Sequence, residues 1–211
     1  KAILECGQAF RWNKNDDGEY TGIVCGMVLK ARQVDDTLVF RSSGGIESIL
    51  FWVDYFDIER DYLQLERELK KDKNILPAIN FSSGNRILKQ DPWECLISFI
   101  ISSNNRISMI KTVIENLSSR FGSPIIFEDE TYYSFPDYKT LSNISIEELA
   151  QCKCGYRAEY IKTTADMVSA MENNLEDLKN KTTQDAFCEL TKFRGVGPKV
   201  ANCVLLFSLQ Q

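Results

Sequence analysis

Phe193-Arg194-Gly195-Val196-Gly197-Pro198-Lys199 lies between two helical patterns and constrains the architecture more than any other run in the chain. On its N-terminal side, Thr182 to Phe193 reads as a helix. On its C-terminal side, Pro198 suits the first position of a second helix, and an apolar run carries that helix to Leu209. Gly195, Val196 and Gly197 then form a tight turn between the two. Glycines there let backbone N–H groups approach a phosphate, and the N-terminus of the following helix favours an anion. Lys199 falls in that first turn, where the positive end of the helix dipole disfavours a cation. This placement, together with burial on an apolar helix, favours the uncharged amine, a nucleophile that forms Schiff bases. Cys203 is one turn further on and shares a face with Lys199. The same residues also suit an ordinary αα-hairpin with a solvated lysine and a core-filling thiol. The run alone leaves both readings open.

Further upstream, Asp91-Pro92-Trp93-Glu94 is a strong helix start, with Asp91 as N-cap, Pro92 at the first helical position and Glu94 as the returning side of a capping box. The next residues, Cys95 to Ile101, are apolar nearly all round, which predicts a central, buried helix. It stops at Ser102-Ser103-Asn104-Asn105. Ile107, Ile110, Val113, Ile114 and Leu117 mark the buried face of another helix, ended by Phe121-Gly122. Ser145-Ile146-Glu147-Glu148 is a second capping box, and Gly155 separates its short helix from a longer one running to about Met171.

The N-terminal part has a different period. Phe10-Arg11-Trp12, Tyr20 to Val24 and Thr37 to Phe40 read as strands, with turns at Asn15-Asp16-Asp17-Gly18 and Asp35-Asp36. From residue 46 the pattern turns helical: Ile49, Leu50, Val53 and Phe56 suit one buried face, and Leu63, Leu65 and Leu69 a second helix. Residues 80–85 form a boundary. The predicted class is α+β: a small N-terminal antiparallel β-sheet with helices over residues 1–84, then an all-helical domain over residues 85–211 that carries a helix-hairpin-helix.

Composition narrows the chemistry. The chain has 211 residues, 44% hydrophobic and 26% charged, enough for a core that needs no disulfide or metal staple. It contains no histidine, which excludes Ser-His-Asp and Cys-His catalysis. Acid–base work is left to carboxylates, Lys, Tyr or Cys. The 7 cysteines are odd in number and scattered, which reads as reduced and intracellular. Cys152-Lys153-Cys154 has no second ligand pair to complete a zinc site. No apolar run reaches the ~20 residues that span a membrane. The net charge of −5 argues mildly against nucleic acid, but the acidic excess gathers in residues 126–150, away from the motifs.

Four stretches together resemble the 8-oxoguanine DNA glycosylases of the helix-hairpin-helix superfamily. They are Gly7-Gln8-Ala9-Phe10-Arg11-Trp12; Gln90 to Ile100 with Ser102-Ser103-Asn104-Asn105; Gly155-Tyr156-Arg157-Ala158 with Tyr160; and Gly195 to Cys203. The resemblance implies a bifunctional base-excision-repair glycosylase and AP lyase acting on damaged double-stranded DNA. In that family Lys199 would attack the sugar and hold it as an imine. Gly7 would offer its carbonyl to the N7–H that 8-oxoguanine has and guanine lacks, and Cys203 would flank the flipped base. Asn104 would fill the gap left by that base, Tyr156 would wedge beside the opposite base, and Arg157 would contact it. Gly195, Val196 and Gly197 would hold phosphate. The backbone carbonyls of Thr191, Phe193 and Val196 would be able to hold a monovalent or divalent cation. No other cofactor is implied.

The chain departs from that pattern in two places. Met109 stands where eukaryotic relatives carry an arginine that reads the opposite cytosine. A thioether donates no hydrogen bond, so weak discrimination of the opposite base is expected, along with membership of the bacterial-type branch. The chain also reads as clipped at Lys1 and Gln211, so the family's assisting aspartate would lie beyond its end. A monomer is expected, cytoplasmic and nucleoid-associated if bacterial, nuclear if eukaryotic. Two other readings share the hairpin: an alkylated-base glycosylase, which typically lacks the lysine, and a DNA-binding module that grips phosphate without catalysis.

Overall fold

The computed structural model describes residues 2–35, 37–171 and 174–211. The chain opens with a short helix α1 (Ala2–Glu5) and then forms a four-stranded antiparallel meander: β1 (Trp12–Lys14), β2 (Tyr20–Val24), β3 (Met27–Val34) and β4 (Thr37–Ser42), in the spatial order β1-β2-β3-β4. The expected first strand is displaced: Phe10 and Arg11 precede β1, and both are buried. Asp35 takes a positive φ of 51° at the β3–β4 turn, while Asp36 lies outside the described residues.

Helix α2 (Ile49–Tyr55) packs on this sheet through Trp52, Tyr55 and the following Phe56, against Trp12, Leu29 and Leu88. The Trp12 indole N–H donates to the Tyr55 hydroxyl at 2.9 Å. This overturns the expected face in part: Phe56 is buried as expected, but Ile49 is 51% and Leu50 75% exposed. The three aromatics have far more surface to bury than the aliphatic residues, so they set the rotation of the helix. Helices α3 (Tyr62–Leu69) and α4 (Leu76–Phe81) bury no residue, so Leu63, Leu65 and Leu69 form a helix without forming a core.

Helix α5 (Pro92–Ser102) is the central element of the larger core, with Cys95, Leu96, Ile97, Ile100 and Ile101 all inaccessible. The Asp91 side chain accepts from the Glu94 amide at 2.8 Å, as an N-cap should. The expected capping box does not close, because the partly buried Glu94 lines a small interior space with Arg11, Asp91 and Ser98. Burial pushes the Glu94 carboxyl up to about 7; the Arg11 charge works against this and Asp91 adds to it.

Helix α6 (Ile107–Phe121) packs Ile110, Val113, Ile114 and Leu117 inward, while Ile107 is 52% exposed. After it the expectation of an all-helical region fails. A hairpin of β5 (Pro124–Phe127) and β6 (Glu130–Tyr133) reaches back to β3. There Lys30 meets Glu128 at 3.1 Å and Glu130 at 3.4 Å. The strands have only 4 residues each and are joined by an acidic turn, in which Glu128 and Asp129 take positive φ, so they do not stand out from the sequence.

Helices α7 (Tyr138–Ser142) and α8 (Ile146–Leu149) follow, the latter with the expected capping box at Ser145 and Glu148. A widened turn over Ala150–Cys154 leads to α9 (Arg157–Ser169). Then come a tight 3-10 turn over Leu175–Asn180, α10 (Thr183–Leu190) and α11 (Pro198–Val204), which continues as a widened turn to Leu209. No helix of the described residues is long and apolar enough to cross a membrane.

Candidate active site

The hairpin forms as expected. Phe193 and Val196 face the core, and the Val196 amide closes the turn on the Phe193 carbonyl at 3.1 Å. Gly195 has a φ of 83°, and a Cβ there would fall 2.5 Å from the Tyr160 ring, so both backbone conformation and packing demand glycine. Gly197 is different. It is exposed and extended, and a Cβ there would meet nothing within 4 Å. Its N–H and those of the first turn of α11 are left without partners among the described residues, apart from Pro198, which has none. The surface beside Gly197 is open to a phosphate.

Lys199 sits in that first turn with its side chain exposed. Burial, one of the two effects expected to keep its amine uncharged, is therefore not a feature of the site. The rotation of α11 explains this: Val200, Ala201 and Val204 take the inward face. Cys203 is partly buried on the same helix, and burial pushes its thiol up while the neighbouring Lys199 charge pulls it down. The two are thus electrostatic neighbours, as their spacing predicts. The Thr191 and Val196 carbonyls accept no hydrogen bond among the described residues, and the Phe193 carbonyl accepts one.

The other motifs are brought to α5 and α11 by aromatic packing. Phe10 meets Phe99 of α5 edge-on with ring centres 5.6 Å apart, and Phe99 stacks on Phe207 beyond α11, also at 5.6 Å. This ladder ties the Gly7 segment to the lysine-bearing helix. Gly7 has a φ of 84°, and its Cβ position lies 3.9 Å from Ile107 at the head of α6, so it borders the Asn104 loop. Among the described residues no group donates to the Gly7 carbonyl.

Asn104 lies within the α5–α6 loop in a left-handed conformation with a φ of 49°. Arg157 is buried, and its guanidinium donates to the carbonyls of Ser103 and Asn104, at 3.1 Å from Nε to the first and 3.0 Å from Nη2 to the second. It also lies 4.4 Å over the ring of Tyr156, which is 56% exposed. Tyr156 in turn meets Tyr160 edge-on at 5.7 Å, and Tyr160 is the ring packed on Gly195. Loop, wedge and hairpin therefore form one connected surface. Met109 is partly exposed on α6, beyond Asn104 in the chain. Sequence reasoning missed Gln8, a polar side chain only 3% exposed. Its one sequence signal is that it sits beside Gly7 in the motif.

Two family models match this succession of a sheet part and a helical part with its glycine turn, and they place the chain among base-excision repair proteins. The family described as "HhH-GPD superfamily base excision DNA repair protein" matches residues 97–201. The family described as "8-oxoguanine DNA glycosylase, N-terminal domain" matches residues 1–96. The apo structure of the Clostridium acetobutylicum 8-oxoguanine glycosylase/lyase is 40% identical with a TM-score of 0.94, covering 100% of this chain and 74% of that one. The same enzyme has also been solved with double-stranded DNA containing cytosine opposite 8-oxoguanine, and there the identity is 39% and the TM-score 0.92. The N-glycosylase/DNA lyase OGG1 of Arabidopsis thaliana is 35% identical over 97% of this chain, and the N-glycosylase/DNA lyase of Saccharomyces cerevisiae 34% over 98%. The chain belongs to the 8-oxoguanine DNA glycosylase family. It spans 59% and 62% of the length of those two curated relatives.

Proposed function

We propose that this chain carries out 8-oxoguanine excision and strand cleavage in base-excision repair, with duplex DNA containing the lesion as its substrate. The observation that carries the reading is the exposed Lys199 at the head of α11, two residues after a phosphate-accessible Gly197 and one turn before Cys203. The Lys199 Nζ, as the free amine, forms a bond to C1′ of the damaged nucleotide. The glycosidic bond breaks, and its electron pair leaves with the base, which takes up a proton. Opening of the sugar ring gives the imine between Nζ and C1′. That imine acidifies the adjacent carbon; loss of its proton expels the 3′ phosphate and cuts the strand.

The open amides of the hairpin support its role as a phosphate grip. A free, left-handed Gly7 carbonyl supports selection of the lesion, because an acceptor attracts an N7–H and repels the lone pair that guanine has there. Asn104 and Tyr156, on their connected surface, would occupy the space of the extruded base and so lower the few kcal/mol that flipping costs. Arg157, expected to contact the opposite base, is instead buried with its guanidinium on the Ser103 and Asn104 carbonyls, so its role would be to hold Asn104 and Tyr156 in register from the protein side. Borohydride trapping on a duplex containing 8-oxoguanine tests the reading. A covalent adduct is expected that disappears in Lys199→Gln. Salt-sensitive binding with no adduct would leave only a DNA-binding module.

A further inference from the structure

We propose that Gln8 is a positioning residue for lesion selection, holding the Gly7 carbonyl in place through hydrogen bonds that reach the lysine-bearing helix; this rests on the function proposed above. The Gly7 carbonyl belongs to the peptide that joins Gly7 to Gln8, so its direction is set by the Gly7 backbone on one side and by residue 8 on the other. Gly7 is conformationally permissive. Its surroundings leave room as well: a Cβ built there would come no nearer to a neighbouring residue than 3.9 Å, at Ile107. Residue 8 must therefore supply the rigidity.

It has the means. The Gln8 carboxamide is almost fully buried, and both its ends are engaged. Nε2 donates to the carbonyl of Ile3 at 3.1 Å and to that of Arg86 at 3.0 Å. Oε1 accepts the amide of Leu88 at 3.0 Å. The backbone carbonyl of Gln8 accepts from Gln90 Nε2 at 2.5 Å. The 86–90 segment is in turn bonded to the far end of the α11 segment: the Gln90 amide donates to the Phe207 carbonyl at 2.9 Å, and the Ser208 hydroxyl to the Gln90 carbonyl at 2.9 Å. A continuous chain of hydrogen bonds thus runs from the residue after Gly7 to the helix that carries Lys199. Only an amide fits the Gln8 site, because it offers two donors to two carbonyls and an acceptor to an N–H. Methionine fills the volume and satisfies none of the three. Ionised glutamate keeps the acceptor but turns a negative charge toward two carbonyls.

The test is the ratio of affinities for duplexes with 8-oxoguanine and with guanine opposite cytosine. It is measured by fluorescence anisotropy in the Lys199→Gln chain, so that nothing turns over. A loss of folded fraction scales both affinities alike and cancels in the ratio, so a merely structural role would leave the ratio unchanged. Gln8→Met is expected to lower it at least tenfold; a ratio within twofold of the parent overturns the proposal. Where Gln8→Met does not fold, Gln8→Glu takes its place. Its protonated acid regains a donor beside its acceptor, so its ratio should rise toward the parent's as pH falls from 8 to 5, relative to the Gln8 parent over the same range. A flat profile overturns the proposal, as does a parent chain that binds both duplexes equally. Failure of Lys199-dependent trapping would instead count against the chemistry and leave this ratio readable.

Discussion

Gly195 and Gly197 are one residue apart, yet they are glycines for different reasons. At Gly195 an alanine would hold a left-handed conformation and press on the Tyr160 ring at 2.5 Å. Each such strain costs of order 1–3 kcal/mol. Gly195→Ala should therefore lower stability by about 2 kcal/mol in urea unfolding. At Gly197 the backbone is extended and the space open, so Gly197→Ala should fold as the parent does, within about 0.5 kcal/mol. Its methyl would stand where a phosphate approaches, and duplex affinity should fall several-fold in anisotropy titrations. Comparable stability losses at both positions would contradict this division of roles. The motif was legible in the sequence because glycine spacing at a helix junction has few physical causes. The separate causes were not, since they depend on Tyr160, which arrives from another helix.

At the scale of an element, α5 shows how a sequence rule can hold in part. Asp91 caps the helix as its position predicts, but Glu94 does not return to complete the box. Its side chain goes to the interior beside Arg11, where desolvation raises its carboxyl from the ordinary value to about 7. The folded protein thus binds this proton more tightly than the unfolded chain does. The resulting stability is complete below the unfolded carboxyl's range near 4.5 and is lost as pH rises through about 7. Glu94→Gln, which cannot ionise, should match the parent's melting temperature at pH 4.5 and exceed it at pH 8. A parallel pH profile for the two would refute the assignment. Element type was readable wherever a cap and a period agreed, as at Asp91 and Ser145. Rotation was not readable in α2, where Ile49 and Leu50 pointed one way and Trp52 and Tyr55 pulled the other. The β5–β6 hairpin was hidden because its anchor, Lys30, lies some hundred residues away in the chain.

Across the whole molecule, α+β order and the succession of motifs could be read from the chain. What could not be read is how the parts are joined. The sheet domain is fastened to the helical one by the Phe10–Phe99–Phe207 ladder, by the Gln8 bonds and by Lys30 on the distant hairpin. Between Asp57 and Leu88, by contrast, no residue is buried. A chain severed at residues 72–74 would be cut in no buried segment, with Leu88 of the sheet core on the second piece, and the pieces, co-expressed as separate polypeptides, should complement each other and co-purify. Phe99→Ala, which removes the middle rung of the ladder, should abolish that reassembly. The stretch between Asp57 and Leu88, which leaves the sheet core and returns to it, is thus the one whose continuity the assembled protein needs least.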